Sequence, residues 1–260
     1  MYSLKEFFQV LDRFAPIELG RKMLENGGYD NSGIIVANHD SIKKVLFTLD
    51  LTKVAVKKAV ELGCDTVVTH HPAIYNPIKS LGVTDDTVAL LEAVKQGLNV
   101  ISMHLNLDIA ENGIDHSLAC GLGAKEMRVL EVIDGENGYG REIKIDEILV
   151  SELVKNIKKT FETDKIIAYG SGKTCEIASF CGSGSSSCLQ AFISQTTDAG
   201  TVVTSDIPHH VLLALIERGK NVIIIPHYVS ENYGFKRYCD KITSEIGEIQ
   251  THYFSDKRFM

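Results

Sequence analysis

Apolar positions along the chain change their period repeatedly, and each change marks an element. Phe7, Leu11 and Phe14 recur at helical spacing behind Ser3-Leu4-Lys5-Glu6, a capping-box pattern, and Pro16 closes that helix. A short helix from about Glu18 to Glu25 stops at Gly27-Gly28. The turn cluster Tyr29-Asp30-Asn31-Ser32-Gly33 then leads into a strand over Ile34 to Ala37, and Val45 to Leu49 forms the next. Asp50 and Thr52 precede a helix from about Lys53 to Leu62, with Gly63 as its stop. Thr66-Val67-Val68-Thr69 is rich in β-branched residues, and Pro72 ends that strand because it cannot donate to a ladder. A helix from about Asp86 to Gln96, a strand over Asn99 to Met103 and a helix opened by Gly113 and Asp115 follow.

In the second half, Val129 to Ile145 carries Gly135, Gly138 and Gly140 and reads as a strand, a loop and a boundary between halves. Asp146 caps a helix carrying Ile148, Leu149, Leu153, Val154 and Ile157. Ile166 to Tyr169 and Glu176 to Cys181 are strands. Between them, Gly170-Ser171-Gly172-Lys173-Thr174 has the end of a phosphate-binding loop but lacks its first glycine. It also leads into a strand rather than a helix, so it is a hairpin turn. Gly182-Ser183-Gly184-Ser185-Ser186-Ser187 opens a helix from about Cys188 to Gln195 and reads as either an anion-holding loop or a tight turn. Val202 to Thr204 and Val222 to Ile225 are strands, with a helix from Pro208 to about Arg218 between them. A helix from about Gly234 to Glu245 and a strand over Ile249 to Phe254 finish the chain. Strands alternating with helices predict an α/β layered architecture.

The two halves echo each other. Asp65 to Pro72 resembles Gly200 to Pro208, and Gly97 to Asp108 resembles Gly219 to Glu231. In the second pair a histidine lies just past a strand, His104 or His227, with a carboxylate four residues on, Asp108 or Glu231. His70 and His71 stand at the carboxyl end of their strand, where α/β sheets bind ligands. The candidate metal ligands are therefore His70, His71, Asp108, His227 and Glu231, with His104 close by. His210 lies near the second repeated strand, whereas His39, His116, His209 and His252 read as ordinary polar residues. A nitrogen and oxygen set without thiolate suits zinc, iron or manganese.

Composition narrows the rest. With 260 residues and 44% hydrophobic content, the chain can form one large domain or two small ones. A formal charge of −7 argues against a general nucleic-acid or membrane-surface role. No apolar run approaches the roughly 20 residues of a membrane span, and Lys5, Glu6, Asp12 and Arg13 make the amino terminus unlike a secretory signal. Six cysteines without a C-x-x-C pair fit neither a zinc framework nor a disulfide scaffold, which points to a reduced, cytoplasmic setting.

Asp30 to Gly33, Thr69-His70-His71-Pro72, His104 to Asp108, Gly182-Ser183-Gly184 and Pro226-His227-Tyr228-Val229-Ser230-Glu231 together resemble the NIF-three-like proteins, usually called GTP cyclohydrolase 1 type 2 homologues. The resemblance runs from about residue 4 to 254. It implies two similar α/β lobes, 1–130 and 131–260, forming a single NIF-three-like domain. The metal site would lie between the lobes at strand carboxyl ends, with no inserted domain. It also implies a homohexamer and two divalent ions per chain. His70 and Asp108 would hold one ion, His71 and His227 the other, and Glu231 would bridge them, with His104 a neighbour. The family commonly has Thr-Gly-Glu or Thr-Gly-Asp where this chain has Thr204-Ser205-Asp206, and Gly where it has Pro226; neither change removes a ligand. The implied function is a divalent-metal-dependent hydrolase of the GTP cyclohydrolase type acting on a small, nucleotide-like molecule, with His104 or His210 as general acid or base. Rival readings are a non-catalytic metal-binding or regulatory protein and a metal-dependent phosphoesterase using the same ions.

Overall fold

The structure, a computed structural model, describes residues 2–25, 28–78, 80–82 and 87–260. The expected helix start at Asp86 and the stop at Gly27 lie outside these residues. The elements in chain order are β1 Tyr2–Ser3, α1 Leu4–Phe14, α2 Ile17–Met23, β2 Gly33–Val36, β3 Ser41–Ile42, β4 Lys44–Thr48, α3 Lys53–Leu62, β5 Thr66–Thr69, α4 Val88–Lys95, β6 Asn99–Ser102, α5 Leu105–Ile109 and α6 Ile114–Gly121. There follow β7 Glu126–Asp134, β8 Asn137–Leu149, α7 Val150–Thr160, β9 Ile167–Tyr169, β10 Lys173–Ser179, α8 Ser185–Ile193, β11 Thr201–Thr204, α9 His209–Glu217, β12 Asn221–Ile224, α10 His227–Glu245 and β13 Gln250–Phe254. Among the described residues no helix is long and apolar enough to cross a membrane.

The chain forms two compact units. The first is Met1–Leu107 with Phe235–Asp256, and the second is Asp108–Gly234 with Lys257–Met260. Residues 130 and 131, where the sequence suggested a division, both lie inside β7.

The first unit is built on a sheet ordered β13-β4-β5-β6-β2, parallel except for β2. Its central strands are buried along their whole length, as expected of a parallel sheet covered on both faces. Leu46, Val67 and Val100 from the strands pack with Val56 and Ala59 of α3 and Ala93 of α4 in one core cluster. Phe47 meets Phe235 of α10 at a ring distance of 6.2 Å. The ends of α3 follow the residues that the sequence singled out. Thr52 caps Ala55 N–H, and Gly63 takes the left-handed conformation at φ 66°. Ser3 and Glu6 form the capping box of α1.

The second unit carries a sheet ordered β7-β8-β10-β11-β12-β9. Three expectations fail here. First, Val129 to Ile145 is not a strand followed by a loop: β7 and β8 form a long antiparallel hairpin there, and Gly140 at φ 71° lies against the Phe180 ring, where a side chain would not fit. Second, Ile148 and Leu149 end β8, paired with Thr174 and Lys173, so the helix starts at Val150 rather than after Asp146. Third, residues 170–174 are no hairpin turn. β9 pairs antiparallel with β12 at the sheet edge, while β10 lies between β8 and β11, and Gly170 and Gly172 take φ 99° and 88° where the chain turns between the two places.

Candidate metal centre

The parallel register of β4, β5 and β6 sets Thr48 beside Thr69 and Thr69 beside Ser102. The residues leaving those strand ends, Asp50, His70, His71 and His104, are therefore brought side by side. The N–H groups of His70 and His71 both donate to the Leu49 carbonyl, at 3.1 and 3.0 Å. Thr69 Oγ1 donates to the His71 carbonyl at 2.8 Å and lies 2.8 Å from Ser102 Oγ. Backbone and hydroxyls together hold the two histidines in place.

Each of the three rings is oriented through Nδ1. That atom lies 2.8 Å from the Met103 carbonyl in His70, 2.7 Å from Asp50 Oδ1 in His71 and 2.7 Å from Asp30 Oδ1 in His104. A carbonyl or a carboxylate only accepts, so Nδ1 carries the proton, and a neutral ring then presents its lone pair at Nε2. This is the arrangement of a metal-ligating histidine whose second nitrogen is held by an outer partner. Ring centroids are separated by 4.9 Å for His70 and His71, 5.2 Å for His70 and His104, and 5.7 Å for His71 and His104. One ligand atom from each lies within 4.8 Å of the others. Burial raises the Asp30 carboxyl, but hydrogen bonds from His104 and Ser32 outweigh it and bring it below the usual carboxylate value.

In the second unit, α10 starts at His227, seven residues before the expected start at Gly234. His227 and Glu231 therefore stand one helical turn apart on the same face. His227 repeats the orientation seen in the first unit, with Nδ1 2.7 Å from Asp206 Oδ2, while its Nε2 lies 2.9 Å from Glu231 Oε1. Both carboxylate–histidine pairs, Asp50 with His71 and Asp206 with His227, are 21 residues apart in sequence. In each, the aspartate follows one strand and the histidine follows the parallel strand beside it.

The Gly182-Ser183-Gly184 loop supports the second pair. Gly182 has φ 55°, and a Cβ there would run into the Glu231 carboxylate and lie 3.4 Å from His227 Cε1. Its N–H donates to Ser230 Oγ at 3.0 Å, and Ser230 Oγ donates to the His227 carbonyl at 2.7 Å. The glycine is required for close approach to the donor pair, which neither sequence reading of the loop, as an anion holder or as a tight turn, foresaw.

Asp108, in α5, is buried and accepts from Cys181 Sγ at 3.7 Å. Burial pushes the Cys181 thiol well above its ordinary value, and Asp108, Asp115 and Glu231 push the same way. Asp115 beneath it is raised by burial to about 6, despite the neighbouring Arg141 guanidinium. Tyr139 donates to the Cys181 carbonyl, and burial raises its hydroxyl as well.

The structure thus groups His70, His71 and His104 in the first unit and pairs His227 with Glu231 in the second, with Asp108 buried beside Cys181. His210 is exposed on the first turn of α9 and belongs to none of the candidate metal-holding groups among the described residues. The sequence reading missed the orienting residues Asp30, Asp50 and Asp206. Their signal was a carboxylate at a strand end or in the turn before one, which gains meaning only when strand order is known. The donor set fits a divalent ion: imidazoles with committed Nδ1 atoms and buried carboxylates.

Asp50→Ala removes the partner of His71 Nδ1 without touching a donor. It is expected to weaken zinc about 10- to 100-fold, read by chelator competition, whereas Asp198→Ala, at an exposed ion pair with Lys220, leaves zinc affinity unchanged.

Fold and donors together define an α/β protein with buried histidine and carboxylate groups that can bind a metal. The chain belongs to the Duf34/NIF3 (NGG1p interacting factor 3) family, which it matches over residues 2–258. It is 28% identical over 240 residues to a GTP cyclohydrolase 1 type 2 homolog of Clostridium perfringens, covering 88% of this chain and 87% of that protein. It is 26% identical over 252 residues to the NGG1-interacting factor 3 of Saccharomyces cerevisiae, covering 88% and 86%. Among solved structures, the Staphylococcus aureus hypothetical protein SA1388 superposes with a TM-score of 0.85 at 23% identity, covering 98% and 97%, which shows the fold. Reduced HcgD from Methanocaldococcus jannaschii gives 0.80 at 25% identity, covering 98% of each chain.

Proposed function

We propose that the protein is a divalent-metal-dependent hydrolase with a dinuclear site. In this reading His70 and Asp108 would hold one ion, His71 and His227 the other, and Glu231 would serve both. The observation that carries this reading is the commitment of Nδ1 to an acceptor in His70, His71 and His227, which leaves Nε2 as the donor atom in each. Bound there, divalent ions would lower the pKa of a water and supply positive charge to a developing anion. The chain's own residues do the rest. Asp50 and Asp206 fix ring orientation and raise donor basicity. His104, held by Asp30, would move a proton at Nε2. His210 is the weaker choice for that task, because its exposed position leaves it freely hydrated.

The names of the relatives support a GTP cyclohydrolase-type reaction, in which the imidazole ring of guanine opens and formate leaves. A phosphoesterase would use the same donors, and a non-catalytic metal carrier would need no substrate at all. One screen separates the three. The zinc-, manganese- or iron(II)-loaded protein is incubated with GTP and with simple phosphoesters, and formate and phosphate are measured separately. Formate alone supports the first reading and phosphate alone the second; metal uptake without either product supports the third. We also propose a homohexamer acting in the cytoplasm, and light scattering that finds a monomer at micromolar concentration would refute that assembly.

A further inference from the structure

Tyr75 lies in the segment that follows His71 and is 59% exposed. A single exposed aromatic is ordinary on a protein surface. This one is unusual in its surroundings. Its ring sits 6.0 Å from that of His104 at an interplanar angle of 72°, so it adds a fourth ring, beside His104, to the cluster formed by His70, His71 and His104. The backbone on its amino-terminal side is pinned as well. Ala73 N–H donates to Ser102 Oγ at 3.1 Å, and Asn31 Nδ2 donates to the Ile74 carbonyl at 2.8 Å. Pro72 and Pro77 bracket the segment and fix φ at both ends. Asn31 neighbours Asp30, the residue that orients His104. One turn therefore positions both the histidine and the aromatic ring beside it.

We propose that Tyr75 is a stacking platform that selects substrates carrying a planar heteroaromatic ring, and that it holds this ring next to the histidine donors. Ligand sites combine aromatic walls with a few placed polar groups, and an exposed ring beside metal-type donors supplies the missing wall. Stacking on an aromatic side chain tolerates different bases, since every base has a π-face. Tyr75 thus selects for a ring and not for one particular base. This inference deepens the hydrolase reading and names the substrate class for the same site.

The test uses the full chain, zinc-loaded and metal-stripped, with calorimetric titration of three probes: GMP, nicotinamide mononucleotide and ribose 5-phosphate. Wild-type protein is expected to bind both ring-bearing probes more tightly than ribose 5-phosphate. Tyr75→Ala weakens both by about 5- to 150-fold and leaves ribose 5-phosphate and zinc stoichiometry unchanged, while Tyr75→Phe retains the ring-bearing probes. The proposal is overturned if the wild type shows no preference for ring-bearing probes, or if Tyr75→Ala weakens all three probes alike. It is also overturned if Tyr75→Ala changes the oligomeric state in light scattering, which would make the ring a contact between copies. If zinc is not taken up but Tyr75-dependent binding persists, the hydrolase reading fails and the subsite stands. If zinc is taken up and ring binding ignores Tyr75, the subsite alone fails.

Discussion

Arg141→Met is expected to destabilise the metal-stripped protein by about 3–5 kcal/mol, the cost of stranding one charge of a buried pair. Arg141 is 1% exposed and its guanidinium lies 3.4 Å from Asp115 Oδ2, itself fully buried. It also donates to the carbonyls of Gly138 and Gly140, at 2.7 and 3.2 Å. Burial already holds Asp115 at about 6 in the native protein, so the folded state favours its protonated form. A carboxyl raised in this way contributes stability that is fully present below its unfolded value, near 3.8, and is lost as pH rises through about 6. Without the guanidinium the folded value moves higher, and the loss extends further up the pH scale. The variant's deficit is therefore larger at pH 8 than at pH 5. Urea midpoints at both pH values for Arg141→Met, Asp115→Asn and Arg141→Met/Asp115→Asn against the wild type complete a double-mutant cycle and read the pair directly. A deficit that is independent of pH would show that lost packing of the arginine stem, not the stranded carboxylate, sets the cost.

That buried cation is paired with Asp115, and no sequence pattern announced it. What the sequence does announce is local. Thr66-Val67-Val68-Thr69-His70-His71-Pro72 reads as a strand with two histidines at its end, because β-branching and proline act through the residues themselves. The caps Ser3 and Thr52 and the stop Gly63 are legible for the same reason. Glycines misled where they serve packing rather than termination. Gly234 sits inside α10 because a Cβ there would lie 2.8 Å from Ile114 Cα, so it is a close-approach position and not a helix start. Placing the helix start there left open whether the four-residue spacing of His227 and Glu231 lies in a strand or a helical turn. Ile148 and Leu149 fit a helical face as well as a strand, and pairing with β10 decided for the strand. Asp50 and Asp206 become visible as orienting residues only once β4 is known to lie beside β5 and β11 beside β12. Donor residues are thus carried by local patterns, and the residues that aim them are carried by sheet order.

Glu231→Gln is expected to have the largest effect on metal uptake. Glu231 is 3% exposed, one helical turn from His227, with its carboxylate against the Gly182 backbone, so it has little freedom to move. Glutamine keeps the volume and removes the charge, and a neutral amide is a poor ligand for two cations at once. If Glu231 serves both ions, the substitution weakens both together, by more than the roughly 10- to 100-fold that an orienting partner is worth. Asp108→Asn, assigned to one ion, weakens mainly that ion and leaves one tight equivalent. Gly182→Ala provides a charge-neutral comparison, because its Cβ displaces the same carboxylate without altering it. It is expected to reproduce the Glu231→Gln loss in milder form. His104→Ala, placed as a proton-moving neighbour, retains both equivalents and lowers the rate of whichever hydrolysis the screen finds. Zinc stoichiometry from competition titration decides among these. Two tight equivalents in Glu231→Gln together with the loss of one in His104→Ala would move His104 into direct coordination, where its ligand atom already lies within 4.8 Å of those of His70 and His71, and would remove Glu231 from the shared position.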